Sequence, residues 1–183
     1  MFAPTSSPSS SRVIDAVAMD KDHYTWIMDV NNAFFLAEED EECYVIPLAE
    51  WTAIHGEGYL WMLKKQLYGL RKAAQKFVDP VAEIMRKLRF SRGGSMPCYC
   101  YNPHRDVSGE VHMDDFYATG PEDQVLEFIS ELRAAMSMKV HGPFGVGDRY
   151  RHLKRDRIIT DEGIIVKAAD EHYVKLAKLL NLE

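Results

Sequence analysis

The stretch Val111-His112-Met113-Asp114-Asp115-Phe116 predicts the centre of the fold. Its apolar residues Val111 and Met113 alternate with His112 and Asp114, which is the period-2 pattern of a strand. Turn residues lie on both sides, Ser-Gly at 108–109 and Thr-Gly-Pro at 119–121. We therefore predict two short strands joined by a tight turn that carries the acid pair. The pair has two interpretations, a polar hairpin turn or metal ligands held on rigid strands.

A second predicted strand with an acidic residue helps to decide whether the acid pair is a polar turn or a set of metal ligands. Residues 24–30 are rich in aromatic and β-branched side chains and predict a strand, with Asp29 near its end. Asp29 by itself is either a solvated strand end or a ligand at the edge of a sheet. On neighbouring central strands, about 4.8 Å apart, Asp29 and the acid pair could reach one pair of cations.

The order of predicted elements indicates the fold class. A strand is followed by a helix, several strands, a second helix and a further hairpin, which predicts an α+β antiparallel sheet with helices packed on one face. Pro80 lies inside the first long helical pattern and predicts a kink or a break there. Residues 107–110 (Val-Ser-Gly-Glu) predict a poor buried strand.

Further expectations concern the chain on either side of this core. Residues 1–11 predict an irregular lead-in, and the acidic run at 38–42 a solvated face. The last helix is expected to bury four side chains: Tyr173, Leu176, Ala177 and Leu180.

Composition narrows the class of protein. The chain has 183 residues, 46% of them hydrophobic and 27% charged, which is enough for one sizeable core. Its net charge of -6 argues against a free-standing nucleic-acid binder. The three cysteines lack zinc-type spacing and predict reduced, intracellular thiols, in the cytoplasm or the nucleus. No secretory signal and no stretch of about 18 apolar residues is apparent, so no membrane partner is expected.

Five blocks in fixed order carry a resemblance to a known family. They are Met-Asp-Val-Asn-Asn-Ala-Phe-Phe at 28–35, Leu-Tyr-Gly-Leu-Arg-Lys-Ala-Ala at 67–74, Val-His-Met-Asp-Asp at 111–115, Gly-Pro-Phe at 142–144 and Glu-Gly-Ile at 162–164. Together they resemble the reverse transcriptase of copia-type LTR retrotransposons. The chain departs from the family pattern at His112, where the family has Tyr, and at Ala74, where it has Pro.

The resemblance implies a polymerase palm that uses two Mg²⁺ or Mn²⁺ ions for nucleotidyl transfer. It assigns catalysis and metal binding to Asp29, Asp114 and Asp115, with the backbone carbonyl of Val30 as a further metal ligand. It assigns nucleotide binding to five residues: Asn32, Phe34, Tyr68, Gly69 and Arg71. Phe34 matches the bulky residue that selects deoxynucleotides, although a buried aromatic is an equally good interpretation.

The implied domain is a partial reverse transcriptase over residues 1–183. It comprises a lead-in with a short helix at 1–23, the palm core at 24–145, and a hairpin with a C-terminal helix at 146–183 leading toward the thumb. The implied partners are an RNA or DNA template-primer, deoxynucleotide triphosphates, and flanking fingers, connection and RNase H segments of a polyprotein. A truncated chain of this kind is expected to be weakly active or inactive alone. The alternative is a non-catalytic remnant that folds as a palm-like domain and binds only cations or a partner.

Overall fold

A six-stranded antiparallel sheet forms the centre of the molecule. The computed structural model describes residues 7–182. The strand order is β4-β5-β6-β7-β1-β8. These strands are β1 (Tyr24–Val30), β4 (Ser91–Arg92), β5 (Tyr99–Asn102), β6 (Val107–His112), β7 (Asp115–Gly120) and β8 (Met138–Phe144). The acid hairpin β6–β7 and the strand β1 that carries Asp29 are thus neighbours in the middle of the sheet.

Two smaller sheets and five α-helices complete the described chain. The small sheets are β2 (Tyr44–Val45) with β3 (Trp61–Met62), and β9 (Arg149–His152) with β10 (Arg155–Thr160) and β11 (Gly163–Ala168). The helices are α1 (Pro8–Asp20), α2 (Ala49–His55), α3 (Ala73–Lys87), α4 (Glu122–Ala135) and α5 (Asp170–Leu179), and a 3-10 turn spans Ala33–Leu36. A central antiparallel sheet combined with helices in one chain confirms the predicted α+β, palm-like fold class.

Alternation along β1 and β7 divides the core between the two faces of the sheet. Trp26, Met28 and Phe116 face the larger cluster, which includes residues of α3 and α4. Ile27 and Tyr117 face the opposite side and pack with α1 and with the β9–β10–β11 sheet. The long helices α3 and α4 therefore share the predicted face, while α1 lies on the other.

Helix α1 begins earlier than the sequence predicted. The predicted lead-in covers residues 1–11; residues 1–6 lie outside the described residues, but the helix already begins at Pro8. Ser7 and Ser10 form a reciprocal capping box, and Pro8 occupies the first turn, where its missing N–H has no helical partner to lose.

The prediction that residues 107–110 form a poor buried strand is wrong. All four are buried within β6. The hydroxyls of Ser10 and Ser11 donate to the two carboxylate oxygens of Glu110 at 2.8 and 2.7 Å. A buried polar group is tolerated when it is hydrogen-bonded, and here the partners come from α1, about 100 residues earlier in the chain.

Two helix predictions also need correction. Helix α3 continues through Pro80, so of the predicted kink or break at this residue the break is wrong, and the kink stays a prediction. The last helix buries none of its residues within the described chain, and Tyr173 and Leu176 are 58% and 56% exposed. No described element covers its apolar side. Within residues 7–182, no helix is long and apolar enough to span a membrane.

Candidate metal and nucleotide site

The acid pair lies at the tip of the β6–β7 hairpin. His112 pairs with Asp115, which leaves Met113 and Asp114 as a two-residue turn. Met113 has a φ of +55°, in the left-handed region that non-glycine residues rarely adopt. Positive φ at the first turn position alone is typical of a type II′ turn, where glycine is preferred. The hairpin therefore holds backbone strain at the candidate site, a feature that clusters at functional positions.

The strand register places Asp29 directly opposite Asp115. The two are paired Cα positions of the antiparallel strands β1 and β7. The N–H of Val30 donates to the carbonyl of Asp114 at 2.9 Å, so the adjacent Asp29–Asp115 pair falls at a non-hydrogen-bonded position. Side chains at such positions point to the same face from Cα atoms about 4.5 Å apart. The structure therefore brings together the carboxylates of two separate sequence blocks.

This proximity has an electrostatic cost. Burial raises the pKa of Asp115, and the negative charges of Asp114 and Asp29 raise it further, while His112 lowers it. Three carboxylates near one another repel unless a cation lies between them. The cluster is therefore suited chemically to a divalent cation.

The protein side chains do not form a complete metal cage. Among residues 7–182, no three acidic, histidine or cysteine side chains are grouped closely enough to hold an ion by themselves. The adjacent carboxylates of Asp29 and Asp115 nevertheless supply the hard oxygen donors that Mg²⁺ prefers. Mg²⁺ commonly uses one or two carboxylates together with waters and substrate phosphates, so this donor set fits a site that substrate completes.

A cavity of about 540 Å³ opens beside the acid pair and shows residues that the sequence analysis missed. Its lining includes Asp114 and Asp115, Arg12 of α1, Lys154 of the β9–β10 turn and Arg155, the first residue of β10. None of these three basic side chains forms an ion pair with an acidic residue of the described chain. The basic run around residue 154 was a signal in the sequence, but only the fold places it opposite the acids.

Of the predicted nucleotide-binding residues, Phe34 and Tyr68 are in contact. Phe34 is 8% exposed, and its ring centroid lies 4.5 Å from that of Tyr68. Gly69 has a φ of +95°, a conformation that favours glycine. Asn32 is also left-handed, with a φ of +52°, and both Asn32 and Arg71 are exposed. The ring contact between Phe34 and Tyr68 thus connects the sequence block at 28–35 with the block at 67–74.

The acidic run at 38–42 connects these two blocks and is more than the solvated face that was predicted. Lys76 of α3 pairs with Glu39 at 2.9 Å and also with Asp40, while Lys72 pairs with Glu41. The buried Gln66 donates to Glu39 at 2.9 Å. These contacts attach the segment after β1 to the start of α3, close to Tyr68.

Comparison with known proteins agrees with the motifs. A family model described as reverse transcriptase (RNA-dependent DNA polymerase) matches residues 1–171. A putative transposon Ty5-1 protein of Saccharomyces cerevisiae is 25% identical over 161 residues, which cover 83% of this chain and 51% of that protein. The chain thus spans about half the length of this curated relative.

Among solved structures, a telomerase from Candida albicans in complex with a fragment of telomeric RNA aligns with a TM-score of 0.46 and 13% identity, over 90% of this chain and 34% of that one. The match of the family model over most of the chain, together with the ordered motifs, carries the assignment. The chain belongs to the reverse transcriptase (RNA-dependent DNA polymerase) family, and within it resembles the copia-type retrotransposon enzymes.

Proposed function

We propose that this chain forms the palm of an RNA-directed DNA polymerase and that Asp29, Asp114 and Asp115 bind its catalytic cations. The observation that supports this most directly is the register that puts Asp29 opposite Asp115 at the tip of the acid hairpin. Two Mg²⁺ or Mn²⁺ ions, when bound, would activate a primer 3′-hydroxyl and stabilise the departing pyrophosphate. The carbonyl of Val30 follows Asp29 on the same strand and is proposed as a further ligand.

The incoming deoxynucleotide is proposed to lie against Phe34, Tyr68 and the exposed backbone at Gly69. Phe34 packs edge-to-face against Phe77 with ring centroids 6.0 Å apart, and this contact restrains the Phe34 ring. A rigid ring beside a sugar can exclude a 2′-hydroxyl by steric contact. Asn32 and Arg71 are exposed nearby in sequence and would contact phosphate or template.

The basic side chains Arg12, Lys154 and Arg155 support a nucleic-acid substrate. The whole chain carries a net charge of -6, which disfavours phosphate binding in general. The cavity beside the acid pair is lined by four basic residues (Arg12, Lys154, Arg155 and Arg157) and three acidic ones (Asp15, Asp114 and Asp115), so its lining is more basic than the chain as a whole. A template-primer backbone would therefore be attracted to this face of the sheet.

Manganese binding tests the proposal without requiring a full polymerase. Mn²⁺ titration of the wild-type chain is expected to show weak binding, with a Kd on the order of 1 mM, that strengthens when a deoxynucleotide triphosphate is added. The Asp115→Asn variant should lose at least about tenfold in affinity, because one charged ligand is removed. Asp161→Asn, in the exposed β10–β11 turn, is the matched control and should bind as the wild type does.

Identical Mn²⁺ curves for wild type and Asp115→Asn would contradict the metal site and favour the non-catalytic remnant. Loss of binding in both variants would point to a nonspecific charge effect and would also count against the assignment. Primer extension is a separate measurement, because the chain spans only about half the length of its relative.

A further inference from the structure

Helix α1 contacts the acid hairpin directly behind the acid pair. Glu110 of β6 and Tyr117 of β7 are paired Cα positions of this hairpin, and both are buried. Two positions nearer the tip, His112 is paired with Asp115. Because side chains on a strand alternate with period 2, Glu110 and Tyr117 project from the same face as Asp115, roughly 7 Å behind it.

Glu110 is bound by the N-terminal end of α1. The hydroxyls of Ser10 and Ser11 donate to its two carboxylate oxygens at 2.8 and 2.7 Å. The dipole of α1 also favours a negative charge at this end of the helix. Hydrogen bonds to an ionised acceptor are shorter and stronger than those between neutral groups. These contacts therefore fix the position of β6 relative to the helix.

Tyr117 is bound one turn further along the same helix. Its hydroxyl donates to Oδ1 of Asp15 at 2.6 Å, and Nε of Arg157 from β10 donates to the same oxygen at 3.2 Å. Ser11 and Asp15 are four residues apart, so they share one face of α1. One helix thus holds both strands of the acid hairpin at the same level through buried hydrogen bonds.

The tip of the hairpin has two features that oppose its position. Met113 has a φ of +55°, which is a strained conformation for this residue. The negative charges of Asp114 and Asp29 also repel that of Asp115. On the other face of the sheet, Phe116 packs in the apolar cluster, where the hydrophobic effect is non-directional. The directional hydrogen bonds to α1 are therefore the contacts suited to fix the orientation of the tip.

We propose that these contacts form a clamp that positions Asp114 and Asp115 for cation binding. The α1 clamp consists of five residues: Ser10, Ser11, Asp15, Glu110 and Tyr117. None of the five is a proposed metal ligand, so they are positioning residues. The inference rests on the proposed function, which supplies the cation at the hairpin tip. A displacement of about 1 Å at a reacting site can lower its rate about 100-fold, so small movements of the hairpin are consequential.

Two clamp variants separate positioning from stability. Glu110→Leu combined with Ser11→Ala removes the polar groups on both sides of the β6 contact, a change that can be nearly neutral for stability. Ser10 keeps its contacts with the backbone N and O of Ser7, at 3.0 and 2.8 Å. On the other strand, Tyr117→Phe removes the hydroxyl that donates to α1. Both variants should lose about threefold to tenfold in Mn²⁺ affinity, measured by EPR of free Mn²⁺ well below the unfolding temperature.

Two further variants are matched controls. Glu110→Gln keeps the shape of the side chain, and its amide can bond to both serine hydroxyls because a hydroxyl donates as well as accepts. Tyr99→Phe removes a hydroxyl of the neighbouring strand β5 that contacts Ser108 at 3.0 Å. Both should bind Mn²⁺ within about twofold of the wild type. A purely structural role predicts equal affinity in every folded variant, because lost stability lowers the folded fraction and not the affinity of the folded chain.

Hydrogen exchange in EDTA tests the clamp without a metal. The N–H of Val30 donates to the carbonyl of Asp114 at 2.9 Å, so its exchange rate reports whether the tip is held against β1. In both clamp variants this amide should exchange about tenfold faster than in the wild type. The amides of α4, on the other face of the sheet, should exchange as they do in the wild type.

The two measurements distinguish a failure of the clamp from a failure of the proposed function. A wild-type chain that binds no Mn²⁺ would count against the proposed function, and exchange at Val30 would then decide by itself whether α1 holds the hairpin. Where the wild type binds Mn²⁺, equal affinity in both clamp variants would overturn the proposal. Unchanged exchange at Val30 would overturn it in either case. Should the double variant fail to fold, Tyr117→Phe decides the same question on the other strand.

Discussion

Replacing Asp115 with asparagine should stabilise the metal-free protein. The Asp29 and Asp115 side chains leave opposite positions whose Cα atoms are about 4.5 Å apart, which puts their charges roughly 5–6 Å apart. Two like charges at that distance repel by about 3 kcal/mol at an effective dielectric constant of 20, and by about 0.8 kcal/mol in water. No hydrogen bond to the Asp115 carboxylate occurs within the described chain, so the substitution removes only the electrostatic attraction between Asp115 and His112.

For a half-buried group we expect a gain of about 1.5 kcal/mol at neutral pH, between those two limits. In a chain of this size that corresponds to a rise in Tm of about 3–6 °C. Thermal and urea unfolding in EDTA measure it, with Asp161→Asn as a control that should change stability by less than about 0.5 kcal/mol. An Asp115→Asn variant less stable than wild type in EDTA would refute the reasoning, because the carboxylate would then be engaged in favourable contacts.

The pH dependence provides a second check. The pKa of Asp115 is raised in the folded state, so the folded protein retains this proton to higher pH than the unfolded chain does. The stability that protonated Asp115 contributes is complete below the pKa of this residue in the unfolded chain. It is lost as the pH rises through the pKa of Asp115 in the folded state. The advantage of Asp115→Asn over wild type should therefore shrink as the pH is lowered through that range. An advantage independent of pH would show that the charge of Asp115, which is disfavoured by burial and by repulsion, is not its source.

Manganese should narrow the difference in stability between wild type and Asp115→Asn. If wild type binds Mn²⁺ with a Kd of about 1 mM, 10 mM Mn²⁺ stabilises it by about 1.4 kcal/mol. The variant, with weaker binding, should gain much less. Equal stabilisation of both proteins by Mn²⁺ would indicate that Asp115 is not a ligand.

Three further substitutions test the fold by chemical denaturation. Gly142→Ala should cost about 2–4 kcal/mol of unfolding free energy, because φ is +122° and an added Cβ would lie 2.8 Å from the carbonyl oxygen of Thr25. Gly94→Ala is the control and should not destabilise the protein, because nothing lies within 4 Å of its added Cβ. Similar losses in both variants would show that the contact at Gly142 is not the cause. Tyr117→Phe removes a buried hydroxyl that donates to Asp15 at 2.6 Å and should cost about 1–3 kcal/mol, so a neutral result would mean that water replaces it. Pro80→Ala restores a missing N–H inside α3 and should raise stability by about 1–3 kcal/mol, and a loss would show that the proline ring makes packing contacts of equal value.

The acid hairpin shows which structural features local sequence patterns could predict. Alternation predicted two strands with Asp114 and Asp115 at the turn, and β6 and β7 have that form. The residues interpreted as flanking turns, Ser-Gly at 108–109 and Thr-Gly at 119–120, instead lie inside the two strands. These signals are local, because strand periodicity and turn chemistry act over a few residues. The same holds for β1, whose aromatic and β-branched residues predicted a strand ending near Asp29.

The errors occurred where burial depends on partners distant in the chain. Residues 107–110 form a poor strand by composition, yet β6 is buried because Ser10 and Ser11 satisfy Glu110. The last helix has an apolar stripe, yet no described element packs on it. Helix α3 includes Pro80 because packing of its apolar side, including Phe77 and Val81, outweighs the lost hydrogen bond.

The sequence by itself determined the family, the α+β class and the identity of the acidic residues, since ordered motifs and residue periodicity are written in the linear chain. Only the tertiary structure decided that Asp29 lies opposite Asp115, because strand register is set by pairing across 86 positions (115 − 29) and by which face must be buried. The tertiary structure also gathered Arg12, Lys154 and Arg155 around the acid pair. A net charge of -6 concealed that basic rim, because electrostatic attraction depends on where charges lie in space and not on their sum.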